Sequence, residues 1–100
     1  MDIIDKHILQ DLYGDEKTAL EIINMFIDQA PEFIQSLEEA SSNQSLLDKI
    51  CHKGIGQSRY IGSCLLEEIL IELRSAPIKD RPELINKIKT LINNITHAYA

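Results

Sequence analysis

Apolar residues return at helical spacing along most of this chain, and polar clusters interrupt them. Ile4, Ile8 and Leu12 recur every fourth residue before Gly14, which predicts a short first helix that stops at the glycine and lies across one end of the molecule. Asp15 is placed to cap a second helix, with apolar positions running Ala19, Ile22, Ile23, Phe26, Ile27, Ala30, Phe33, Ile34, Leu37 and Ala40. Proline normally breaks or kinks a helix. Because the stripe keeps phase on both sides of Pro31, one long bent helix is expected, with a break into two as the alternative. The polar cluster at residues 41–45 predicts a turn, and a third helix begins just after it. Gly62 ends that helix or tightens its turn. Ser63 is placed to cap a fourth, with a stripe of Leu65, Leu66, Ile69, Leu73 and Ala76 against a wet side of Glu67, Glu68, Glu72 and Arg74. Asp80, Pro82 and Glu83 form a start signal for a last helix that buries Leu84, Ile88, Leu91, Ile92 and Ile95.

No stretch shows the alternation of a strand, there is no internal repeat, and the connections are short. Short loops between amphipathic helices favour antiparallel neighbours. The expected fold is therefore all-α, an antiparallel four-helix bundle with a short extra N-terminal helix, forming a single domain over residues 1–100.

Composition narrows the functional classes. Sixteen acidic against ten basic residues give a net charge of −6, which disfavours binding to nucleic acid or an anionic membrane. One region departs from this: no acidic residue lies between Lys49 and Leu66, where Lys49, Lys53 and Arg59 accompany His52. The N-terminus carries acids where a secretion signal would carry basic residues, and no apolar run has the length of a membrane span, so a cytoplasmic protein without membrane insertion is expected. Nothing demands a dimer, and a monomer is expected. Cys51 and Cys64 fall on apolar faces and read as small core residues. No set of histidines and cysteines has zinc-ligand spacing, and no base is placed beside Cys51 or a serine for hydrolase chemistry.

Two glycines, Gly54 and Gly56, lie inside the third helix, each costing about 1 kcal/mol relative to alanine. Winding residues 46–61 at about 100° per residue sets Leu47, Ile50, Cys51, Gly54, Ser58 and Ile61 on one stripe. His52, Ile55, Gly56 and Arg59 then take the far side. Gly54 would let a neighbouring helix come close. Gly56, one turn after His52, either clears space beside the imidazole for a partner or is tolerated without purpose. Ile55 is expected to be exposed, as a docking contact or an ordinary surface residue. Lys49 and Arg59 read as solvated charges or as phosphate ligands, and His7 and His97 as surface residues.

His52, Gly56 and Gly62, in the spacing His-x3-Gly-x5-Gly, resemble the His-x-x-Lys-Gly-x5-Gly motif of the histidine phosphotransfer (HPt) domains of two-component phosphorelays. The stretch Phe26–Ala40, with its Ala-Pro step, is similar to the long helix of that family. The resemblance is good from Asp15 to Ala76 and loose outside it. It implies a four-helix bundle in which His52 accepts a phosphoryl group from an aspartyl phosphate on a response-regulator receiver domain and passes it to another receiver. A hybrid sensor histidine kinase is an implied partner. It also implies that this chain binds no cofactor, the receiver supplying Mg²⁺ and the aspartate. An exposed imidazole suits such a task, since the ring is largely neutral and nucleophilic near neutral pH, and phosphoryl transfer rests mainly on positioning and charge stabilisation.

The family usually places lysine three residues after the histidine, where Ile55 stands here. Lys53 lies about 100° round the helix from His52 and is no direct substitute. Arg59, two turns on and on the same face, is within reach to lean back over Gly56 toward His52, a hypothesis beside its reading as a solvated charge, whereas Lys49 should point away toward the preceding turn. The missing lysine keeps a second function open, a pseudo-phosphotransfer adaptor that binds a histidine kinase or receiver without efficient transfer. A third reading is a helical interaction domain with a coincidental motif.

Overall fold

Helix starts in this chain are set by short polar side chains that accept hydrogen bonds from first-turn N–H groups, which have no partner within the helix. In the computed structural model, which describes residues 3–99, Asp5 caps α1 (Lys6–Tyr13) through bonds from the backbone N–H groups of His7 and Ile8. Asp15 caps α2 (Glu16–Glu39) with a 2.7 Å bond from Thr18 N–H. Asn43 does the same for α3 (Gln44–Tyr60), and Ser63 for α4 (Cys64–Ser75). A 3₁₀ turn, Ile78–Asp80, runs directly into α5 (Arg81–Tyr99). Residues 1, 2 and 100 of the expected single domain, with the first two residues of the acidic N-terminus, lie outside the described residues.

Among the described residues the chain is all-helical, without strands, and its five α-helices pack compactly. α2 lies against α3 and α5, α4 lies against the same two, and α1 rests on α2. The core is aliphatic, with Ile23, Leu37, Leu47, Leu66, Leu70, Leu73, Ile88 and Ile95 fully enclosed. Helix α2 continues through Pro31 without a break.

Among the described residues the two left-handed ones are both glycines at helix ends. Gly14 closes α1 at φ 74°, and Gly62, at φ 68°, turns the chain from α3 into α4. At Gly62 the backbone also meets the start of α1, because Asp5 N–H donates to Gly62 O at 2.8 Å. Tyr13 at the other end of α1 donates to Tyr60 O at 2.6 Å. α1 is thus fastened at both ends to the C-terminal end of α3.

Several local details differ from the expectations. Leu12 is 52% exposed and Leu9 is buried instead. Ile4 precedes the cap and is outside the helix, so the every-fourth-residue phase counted from it does not carry into α1. α3 begins at Gln44, inside the polar cluster, because Asn43 caps it. Asp80 ends a 3₁₀ turn that is continuous with α5 and is not a cap outside it. On α4 the enclosed positions are Leu66, Leu70 and Leu73, with Leu65 and Ile69 half-buried.

Arg81 had no part in the expected core, yet it is 4% exposed. Its guanidinium donates to Ala76 O at 3.1 Å, to Ser41 O at 2.6 Å and to Gln44 Oε1. Gln44 in turn donates to Asp48 Oδ1 and Arg74 O. This network ties the α2–α3 turn to the α4–α5 connection, at the opposite end of α3 from Gly62.

Candidate functional site

Helix α3 is pressed against α2 and α4, and its glycines serve different sides. A β-carbon on Gly54 would stand 2.6 Å from Phe33 Cζ and 3.0 Å from Leu70 Cδ1, so the missing side chain lets α2 and α4 close on α3. Leu47, Cys51 and Ser58 share this buried stripe, and Ser58 Oγ donates to Gly54 O at 2.8 Å, which satisfies its hydroxyl in the interior. Burial pushes the Cys51 thiol up to about 11, against a smaller opposing effect from the Arg74 charge. Both cysteines are free, and Cys64 is half-buried at the start of α4.

His52 is exposed and makes no hydrogen bond or ion pair among the described residues. One turn further, a β-carbon on Gly56 would meet nothing within 4 Å, so the surface beside the imidazole is open. Lys49 and Lys53 are exposed on either side, and neither forms an ion pair among the described residues. The exposed cations flanking His52 on α3 are therefore these two lysines.

Two expectations about this face are corrected. Ile55 is buried, 8% exposed, and belongs to the core. It follows Cys51 by one turn and lies about 40° from it, so covering α3 from two flanks takes in a wider arc than the central stripe. It offers no exposed docking contact. Arg59 does not lean back over Gly56: its Nε donates to Glu67 Oε1 of α4 at 2.5 Å. Glu67 stands in the first turn of α4, which the Gly62 turn brings alongside the end of α3. Sequence reasoning placed Glu67 on a wet face, and nothing in the local pattern marked its partner across the turn.

A groove of about 330 Å³ opens between α1, α2 and α3, lined mainly by apolar groups from Tyr13, Ile22, Met25, Phe26, Tyr60 and Ile61. Met25 and Tyr60 are more than half exposed there. Gln57 also lines it, and its buried Oε1 has no hydrogen-bond partner among the described residues. The groove is not legible in the sequence, because its lining comes from three helices.

Among the described residues, no group of three or more His, Cys, Asp or Glu side chains is placed to hold a metal ion. No described helix is long and apolar enough to cross a membrane. No protein-family model, curated protein or solved structure matches this chain.

Proposed function

We propose that this chain is an HPt-like phosphorelay intermediate: a four-helix bundle of α2 to α5 with α1 across one end, and His52 as the phosphoacceptor. The observation that carries this reading is the exposed, unpartnered imidazole of His52 beside the empty surface over Gly56. In the reaction, the lone pair of a ring nitrogen attacks the phosphorus of an aspartyl phosphate on a receiver domain. An N–P bond forms, the P–O bond to the aspartate breaks, and the carboxylate leaves with the electron pair. A second receiver takes the phosphoryl group by the reverse sequence. The receiver brings Mg²⁺, which neutralises phosphoryl charge, while this chain supplies the nucleophile and its docking surface. Lys49 and Lys53 add positive charge near the incoming group on a protein of net charge −6.

The apolar α1–α2–α3 groove, built partly on the helix that carries His52, offers a surface on which a receiver would dock. A monomer in the cytoplasm fits this role. The test is incubation with a phosphorylated receiver, followed by a search for an acid-labile, alkali-stable label that disappears in His52→Gln. Absence of label on wild-type protein overturns the reading.

A second reading has a specific observation in its favour. Ile55 is core and Arg59 is engaged with Glu67, so neither residue presents a free cation on the His52 face in the unphosphorylated protein. A pseudo-phosphotransfer adaptor would bind the receiver or a histidine kinase and acquire no label.

A further inference from the structure

Arg59 and Glu67 face each other across the α3–α4 turn, and the contact uses only the Nε–H of the guanidinium. Both Nη amino groups, with four N–H donors between them, have no partner among the described residues. Arg59 is 69% exposed and Glu67 23%, so the pair is wet and contributes little to holding the side chain. Along α3, Arg59 and His52 are two turns apart on the same face, about 10 Å along the axis. Between them, over Gly56, there is no side chain. A helical side chain leans toward the turn that precedes it, which for Arg59 is the turn of Gly56.

We propose that Arg59 is a reserve phosphoryl ligand, parked on Glu67 while His52 is free and drawn over Gly56 when His52 carries a phosphoryl group. This rests on the reading of His52 as phosphoacceptor. A phosphoryl group brings up to about two negative charges and three acceptor oxygens, against the single charge of the Glu67 carboxylate. The planar fork of arginine matches that geometry with two parallel bonds. Glu67 is then a positioning residue that competes for the guanidinium, and the empty position over Gly56 is the path of the side chain. The exchange makes and breaks no covalent bond. It supplies, on phosphorylation, the cation that Ile55 does not.

The test measures the equilibrium of phosphoryl exchange between a receiver and the full chain for wild type, Arg59→Ala, Arg59→Lys and Glu67→Gln. Arg59→Ala is expected to lower the ratio of phosphorylated to free His52 by about fivefold, and Arg59→Lys to recover part of that loss. Glu67→Gln is expected to raise the ratio by about twofold, because the competitor has lost its charge. The Arg59 Nε–H resonance should move on phosphorylation of wild type and stay in place in His52→Gln. Label on His52 with the same ratio in all four proteins, or a still Arg59 resonance, overturns the role of Arg59 and leaves the acceptor intact. No label on His52 in wild type overturns both.

Discussion

The ring of Phe33 occupies the space that a side chain on residue 54 would need, with Cζ 2.6 Å from the position of a β-carbon on Gly54. Two residues later Gly56 has the opposite surroundings, with nothing within 4 Å of the corresponding position. Alanine at either site gains about 1 kcal/mol of helix propensity. At position 54 the forced shift of Phe33 and Leu70 costs about 1 to 3 kcal/mol. Gly54→Ala is therefore expected to destabilise the protein by about 1 kcal/mol net and Gly56→Ala to stabilise it by up to about 1 kcal/mol, both measured by urea unfolding.

The same Gly56→Ala variant should transfer phosphoryl groups more slowly than wild type despite its greater stability. The added methyl group stands on the open surface beside His52, where the proposed receiver would approach. Stopped-flow or rapid-quench transfer from a phosphorylated receiver checks this. An unchanged rate would show that the clearing over Gly56 plays no part in transfer.

Placing a lysine at position 55, as in the HPt motif that the chain resembles, should not create a better site. Ile55 is 8% exposed, so Ile55→Lys loses core packing and must carry its ammonium out along the flank of α3. The expected cost is about 2 kcal/mol in unfolding free energy, from the buried apolar area given up. Transfer should not improve, because the charge emerges from a residue anchored in the core.

Arg81→Ala should be among the more damaging single changes. It removes the donors to the carbonyl groups of Ser41 and Ala76 and leaves a gap beside Gln44. A loss of about 3 kcal/mol is expected from the unsatisfied acceptors together with the lost packing. Arg81→Lys should recover only part, since one ammonium cannot reproduce three directed bonds from a planar fork.

Cys51 links stability to alkaline pH. Its thiol value is raised by burial from 9.0 to about 11, so the folded state favours the neutral thiol. That contribution is whole below pH 9 and is lost as pH rises toward about 11. Urea unfolding across this range should show a decline in stability, less steep in Cys51→Ala. A maleimide should modify Cys64 in the folded protein and reach Cys51 only on unfolding.

The sequence by itself determined the helices and most of their buried faces, because capping side chains and helical periodicity act within one or two turns. Asp15 and Ser63 cap where their spacing indicates, Gly62 takes the left-handed turn, and the stripe through Pro31 keeps α2 whole. The exposure of His52 was legible for the same reason. Tertiary structure decided what each face meets. It placed Phe33 over Gly54, drew Ile55 into the core, turned Arg59 toward Glu67 and joined the α2–α3 turn to the α4–α5 connection through Arg81. Those outcomes depend on contacts between residues brought together from distant helices or across a turn. Local periodicity specifies an angle around one helix axis, and only the packing of neighbouring helices determines how much of that circumference is covered and by whom.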